Sequence, residues 1–275
     1  MTTLEAVVLG AVQGLTEFLP VSSSGHLVLA SEVMRTFGGS GDLADAERLP
    51  LAFVVLVHAG SLLAIVGFFH REFLSLLTTR RGLIPRLVLG MVPAGLAFVV
   101  LKVVGKAAGV DVLEVVFEKP LPVGFAMLVT GTVLWVTERV ARDERSLDGV
   151  SWLDALVIGV AQAVALVPGI SRSGMTVGAG LARGLERRAA VAFAFLLGAV
   201  AIAGGTVLEL RDMGRLGGQI GSVPLVAGFL ASAVVSVVSL ALLTLVVRRK
   251  RLFGFAIYCY VVGLGVVLAK ATGAW

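Results

Sequence analysis

Six apolar runs, each close to the ~20 residues that carry a helix across a bilayer, constrain this chain more than any other feature. They are Leu51–Phe69, Leu87–Gly105, Leu121–Thr137, Ala189–Leu208, Pro224–Val247 and Leu252–Ala269. Of the 275 residues, 57% are hydrophobic and 15% charged. Soluble domains sit near about 45–50% and about 25%, so a water-facing surface is excluded.

The basic residues lie in short connections between the runs. Arg71, Arg80, Arg81 and Arg86 fall in 70–86, Arg139, Arg142 and Arg145 in 139–150, Arg183, Arg187 and Arg188 in 183–188, and Arg248–Arg251 form a basic quartet. By the positive-inside rule these connections face the cytoplasm. The alternate connections are poorer in Lys and Arg: 35–50 with Asp42, Asp45 and Glu47, 106–119 with Asp111, Glu114 and Glu118, and 209–223. Charge placed this way is an orientation signal and excludes nucleic acid as a partner. A lone cysteine, Cys259, rules out an intrachain disulfide. No cleavable signal peptide is expected, because the N-terminus lacks a basic region and its apolar stretch soon meets Gln13 and Glu17.

Two segments, about 4–34 and 151–182, are long enough for helix pairs but are interrupted by Pro20-Val21-Ser22 and by Pro168-Gly169-Ile170-Ser171. Irregular backbone at membrane depth persists only where protein buries it or a wet cavity solvates it. Each segment therefore reads as a re-entrant hairpin, the first entering from outside and the second from the cytoplasm. Shifted by 149 residues, Gln13 falls on Gln162, and Ser22, Ser24 and Gly25 fall on Ser171, Ser173 and Gly174. The expected fold is an all-α polytopic membrane protein, a single membrane domain over 1–275. It has six transmembrane helices plus two re-entrant helical hairpins in an inverted-topology repeat, repeat one about 1–138 and repeat two about 151–275. Such architectures set the working site near the midplane, with broken helices aiming their N-termini at an anion.

The two breaks carry different chemistry. In the first, Gln13 and Glu17 share a helix face at i, i+4, and Ser22, Ser23 and Ser24 open the next half-helix four residues ahead of His26. A helix N-terminus with free N–H groups and hydroxyls cradles phosphate. A carboxylate at membrane depth is expensive and points to function, here as a divalent-cation ligand or a base. In the second, Arg172 stands where the first repeat has Ser23, flanked by Ser171, Ser173 and Thr176. A guanidinium there suits forked recognition of phosphate oxygens. Serine caps, a Glu17–Arg172 pair without catalytic duty, and Gln13 and His26 as satisfied packing residues remain the plain alternatives. His58 reads as structural, His70 as interfacial, and Gly204-Gly205 as a helix-packing contact.

At these residues the chain resembles the undecaprenyl-pyrophosphate phosphatase, or bacitracin-resistance, family. The first shared motif is Gln13…Glu17…Pro20-Val-Ser22-Ser23-Ser24-Gly25-His26, the second runs from Pro168 to Thr176, and the similarity continues through 58–64, 193–197 and 255–258. The resemblance implies removal of the terminal phosphate from a C55 polyprenyl pyrophosphate, recycling the lipid carrier of cell-wall synthesis. It implies a divalent cation, Mg or Ca, and a bacterial inner-membrane location with the site facing the extracytoplasmic side. By position, Glu17 would be metal ligand or acid/base with Gln13 beside it. Ser23 would be the nucleophile, unless water is, with His26 assisting. Arg172 would stabilise the transition state, with Ser22, Ser24, Ser171, Ser173 and Thr176 binding substrate. The chain departs from the family pattern at Ala52, Ala194, Val200 and Cys259; an acid is absent at the first and an arginine at the last.

A polyprenyl-phosphate flippase or transporter is the rival reading, favoured by the inverted repeat, whereas the unequal side chains of the two breaks favour hydrolysis. A histidine-nucleophile lipid phosphatase is excluded, because no histidine follows His70. A homodimer through the glycine-rich helices is a further expectation.

Overall fold

The computed structural model describes residues 1–36, 49–109, 119–213 and 221–272. The acidic residues Asp42, Asp45, Glu47, Asp111, Glu114 and Glu118 lie outside the described residues. The described chain is helical: α1 Thr3–Phe18, α2 Ser23–Thr36, α3 Leu51–Phe68, α4 His70–Leu77, α5 Ile84–Ala108, α6 Pro120–Val140, α7 Trp152–Val164, α8 Arg172–Ala182, α9 Arg187–Met213, α10 Ser222–Arg248 and α11 Leu252–Ala271. Helices α3, α5, α6, α9, α10 and α11 contain the six spans long and apolar enough to cross a membrane, where the apolar runs place them. Helix α4 falls in the basic connection 70–86, where the sequence marks no helix, and its residues are at least partly exposed.

Both interrupted segments fold as helix pairs, and their ends are built alike. Thr2 caps α1 in a capping box with Glu5, and Ser151, at the same shift of 149, caps α7 in a capping box with Asp154. Such a box satisfies two orphan N–H groups of a helix start at once. Helix α1 stops at Phe18 because Leu19, which precedes Pro20, is extended, as the proline ring requires of its neighbour. Ser22 then takes φ +72°, and Gly169 in the second break takes φ +94°. A left-handed serine carries a steric cost that glycine escapes, so the first break is the more strained of the two.

The first arm of each pair packs on a helix of the other half. A Cβ on Gly10 would collide with the backbone of Gly228 in α10, and one on Gly159 with that of Gly90 in α5. Close approach of this kind is how helices associate without a hydrophobic drive between them. Hydroxyls reinforce it: Ser232 donates to the Val57 carbonyl at 2.7 Å, and Ser239 to the Leu15 carbonyl at 2.6 Å.

The basic ends are tied together. Arg187, 7% exposed, donates to Glu138, Asp143 and the carbonyl of Val247, and Glu138 also accepts from the N–H of Leu252. The ends of α6, α9, α10 and α11 thus meet on one guanidinium. Nearby, fully buried Asp154 accepts from Arg145 and Arg183. Breaking a buried pair by removing one partner costs about 3–5 kcal/mol, so the Arg187–Glu138 pair, buried on both sides, ties these helix ends together.

Candidate active site

The two breaks meet at one carboxylate. Glu17, on the last turn of α1 and 7% exposed, accepts three hydrogen bonds and has an imidazole beside it. Gln13 Nε2 donates to Oε2 at 2.9 Å, and Ser23 Oγ donates to the same oxygen at 2.5 Å. Arg172 Nη2 donates to Oε1, and His58 Nε2 stands 4.0 Å from Oε2. The i, i+4 spacing aligns Gln13 with Glu17, the break turns the chain so that Ser23 opens α2 above the carboxylate, and Arg172 arrives on the first residue of α8. A second Arg172 nitrogen donates to the carbonyl of Gly198 in α9.

The serines repeat one geometry. Ser22 Oγ accepts from the N–H of Gly25 and lies 3.3 Å from Ser24 Oγ. Ser171 Oγ accepts from the N–H of Gly174 and lies 3.2 Å from Ser173 Oγ. Both half-helices therefore begin under a serine cap, with hydroxyls around free N–H groups. A cavity of about 370 Å³ opens between them. Glu17, Ser22, Ser23, Ser24, Ser171 and Arg172 line it.

Four other residues singled out from the sequence do not line it. Gln13 lies behind Glu17, fully buried. Ser173 donates to the Leu19 carbonyl, which braces one break against the other, and Thr176 donates to the carbonyl of Arg172 one turn back in its own helix. His26 is not brought to Ser23: its Nδ1 donates to the carbonyl of Ser22, and its Nε2 meets Tyr258 Oη, both at 2.7 Å. The rings of His26 and Tyr258 are stacked, 5.6 Å apart. Ser22 lies outside α2, so the four-residue spacing aligns the imidazole with its carbonyl instead of its hydroxyl. Tyr258 thus holds His26, which holds the left-handed residue that starts the serine cradle. Cys259, next in the chain, has its Sγ 3.6 Å from the carbonyl of Pro20 in the same break.

The cavity also includes residues that sequence reasoning missed. His58 was read as structural, and its Nδ1 does donate to the Val54 carbonyl at 2.8 Å, yet its other nitrogen faces Glu17. Among the described residues Gln162, 3% exposed, has only the Met91 sulfur as a partner for its nitrogen, and its Oε1 has none. Thr206, also on the wall, has a buried hydroxyl without a partner. The 149-residue shift pairs Gln162 with Gln13, and that signal could have flagged it. No motif contains Thr206.

A carboxylate, a hydroxyl held on it and a guanidinium thus line one cavity inside an integral-membrane protein with six helices long and apolar enough to span a bilayer. The family model described as "Bacitracin resistance protein BacA" matches residues 6–265, and the chain belongs to that family. It is similar to proteins named undecaprenyl-diphosphatase. That of Carboxydothermus hydrogenoformans is 34% identical over 99% of both chains, and that of Rubrobacter xylanophilus 39% identical over 93% of both. A third, from Methanosphaera stadtmanae, is 33% identical over 95% of both.

Proposed function

We propose that this chain hydrolyses undecaprenyl pyrophosphate, or a closely related polyprenyl pyrophosphate, to the lipid monophosphate and inorganic phosphate. It would do so in the bacterial cytoplasmic membrane, with its site open to the extracytoplasmic side. The observation that carries this reading is the placement of Glu17, which holds the Ser23 hydroxyl from one repeat and the Arg172 guanidinium from the other. Between them, the three groups provide a nucleophile, its base and an electrophilic clamp.

In this reading the terminal phosphate takes the Glu17 carboxylate's place on Arg172, whose forked donors match phosphate oxygens. Ser23 Oγ attacks the terminal phosphorus and passes its proton to Glu17. The bond from that phosphorus to the bridging oxygen breaks, and the lipid monophosphate leaves with the electron pair. Glu17 gives that proton up to the departing lipid phosphate, and water activated by the regenerated carboxylate then cleaves the phosphoserine, freeing the Ser23 hydroxyl and inorganic phosphate. Arg172 and the N–H groups at the starts of α2 and α8 face the charge that builds on the equatorial oxygens, where preorganised donors act most strongly. His26 acts by position, through Ser22.

The donor set fits a divalent cation. Magnesium commonly binds through one or two carboxylates plus substrate phosphates, and Gln13 offers a buried Oε1 without a partner beside Glu17. Glu17 and Gln13 would hold the ion, which would screen the charge of the pyrophosphate. The orientation rests on the basic ends. Thr206 is 19 residues beyond Arg187 on α9, about 28 Å along the axis at 1.5 Å per residue. The cavity wall therefore lies far from the arginine cluster.

The test is phosphate release from polyprenyl pyrophosphate by detergent-purified protein, with and without EDTA, beside Glu17→Ala. EDTA-sensitive release that Glu17→Ala abolishes is expected. No release from folded protein would overturn hydrolysis and leave carriage of a lipid phosphate as the reading.

A further inference from the structure

A second cavity, about 510 Å³, lies behind the first break and is lined almost wholly by carbon. Leu19 and Val21 of the break form one wall, Leu242 and Val246 of α10 a second, and Phe255 and Tyr258 of α11 a third. Arg251 closes one end. Its N–H donates to the Val246 carbonyl, which fixes it in the turn between α10 and α11. Its guanidinium has no carboxylate partner among the described residues, whereas neighbouring Lys250 pairs with Asp143 at 3.5 Å. From Arg251 to Tyr258 is seven residues, about 10 Å of helix.

We propose that this groove binds one anionic glycerophospholipid from the leaflet on the basic side. The phosphate would sit on Arg251, and one acyl chain would run along α11 to Tyr258. Three observations on the groove select that occupant. Arg251 belongs to the exposed quartet Arg248–Arg251, so the charged end lies at the membrane interface, where basic pockets between helices recognise anionic headgroups. The walls are apolar from there inward for most of the ~15 Å between interface and bilayer midplane. The groove and the cavity at Glu17 lie on opposite sides of the first break, so a substrate seated at Arg172 does not place its own phosphates on Arg251. A chain in the groove would pack on Leu19, Val21 and Tyr258, the residues that back the break and hold His26.

Gly254 makes the site testable. It lines the groove, and a Cβ added there meets nothing within 4 Å, so Gly254→Leu fills the groove without displacing a helix. The full-length protein is reconstituted with mixed phosphatidylglycerol and phosphatidylcholine, and retained lipids are counted by native mass spectrometry. One phosphatidylglycerol is expected on the unaltered chain. Arg251→Gln should lower its occupancy about fivefold, the worth of one basic residue against an anionic surface. Gly254→Leu should remove it, and Arg71→Gln, the same charge change on α4, should leave it. Equal loss in Arg71→Gln would overturn the proposal, as would equal retention of phosphatidylcholine. Displacement of the lipid by polyprenyl pyrophosphate would also overturn it, by making the groove the substrate's tail channel. If Gly254→Leu fails to fold, the contrast between Arg251→Gln and Arg71→Gln decides alone.

Discussion

The two broken helix pairs share a plan and differ in chemistry. Each starts with a capping box, sets a glycine against a glycine of the opposite half, breaks at a proline, and resumes under a serine that accepts an N–H three residues on. Where the first has Glu17 the second has Leu166, and where the second has Arg172 the first has Ser23. Two serine-capped half-helices thus face one cavity, and differences at two positions put a carboxylate on one and a guanidinium on the other. Equal cradles would bind an anion in two like ways; unequal ones orient it.

Removing the unequal groups should break the comparison most. Glu17→Ala deletes the partner of Arg172 together with the proposed base and the proposed cation ligand. Loss of a general base alone costs up to about 10⁴-fold, and release of phosphate should fall at least that far. Arg172→Ala should cost about 10²–10³-fold in kcat, the usual worth of one transition-state donor, with membrane insertion unchanged. Arg172→Lys separates charge from geometry. Lysine keeps the charge but loses the fork, so activity should recover only in part. Full recovery would mean that Arg172 acts as a point charge.

A smaller effect tests how the strained side of the comparison is held. Tyr258→Phe removes the hydroxyl that meets His26 Nε2 but keeps the stacked ring. One hydrogen bond contributes about 1 kcal/mol, so kcat should fall by about fivefold. His26→Ala should do more, and adding Tyr258→Phe to it should do nothing further. If the two losses multiplied, His26 and Tyr258 would act separately and the chain of contacts to Ser22 would be wrong.

Much of this was legible in the sequence. The six spans and both breaks follow from apolar length and from proline, because in hydrocarbon the backbone has few choices. Glu17, Ser23 and Arg172 stood out because polar groups at membrane depth need a reason. The failures were about direction. The spacing from Ser22 to His26 supposed continuous helix, but Ser22 is left-handed, and a one-residue break turns the imidazole toward α11. His58 and Thr206 sit in helices whose periodicity is uniformly apolar, so no pattern marks the face that meets the cavity. Helix α4 was missed because eight residues rich in charge look like a loop when membrane spans are the template.

The glutamines at matching positions sharpen the comparison furthest, though with the smallest effect. Gln13 donates to Glu17, while Gln162 has no carboxylate to meet and leaves its Oε1 unpartnered at the cavity wall. Gln162→Leu should raise KM several-fold with kcat nearly unchanged, because the amide lines the same cavity as Glu17 and touches none of the reacting groups. Gln13→Leu should do the reverse, lowering kcat by freeing the Glu17 carboxylate to swing. If Gln162→Leu lowered stability and left KM alone, its amide would be a packing group, and the second break would contribute Arg172 and its serine cap alone.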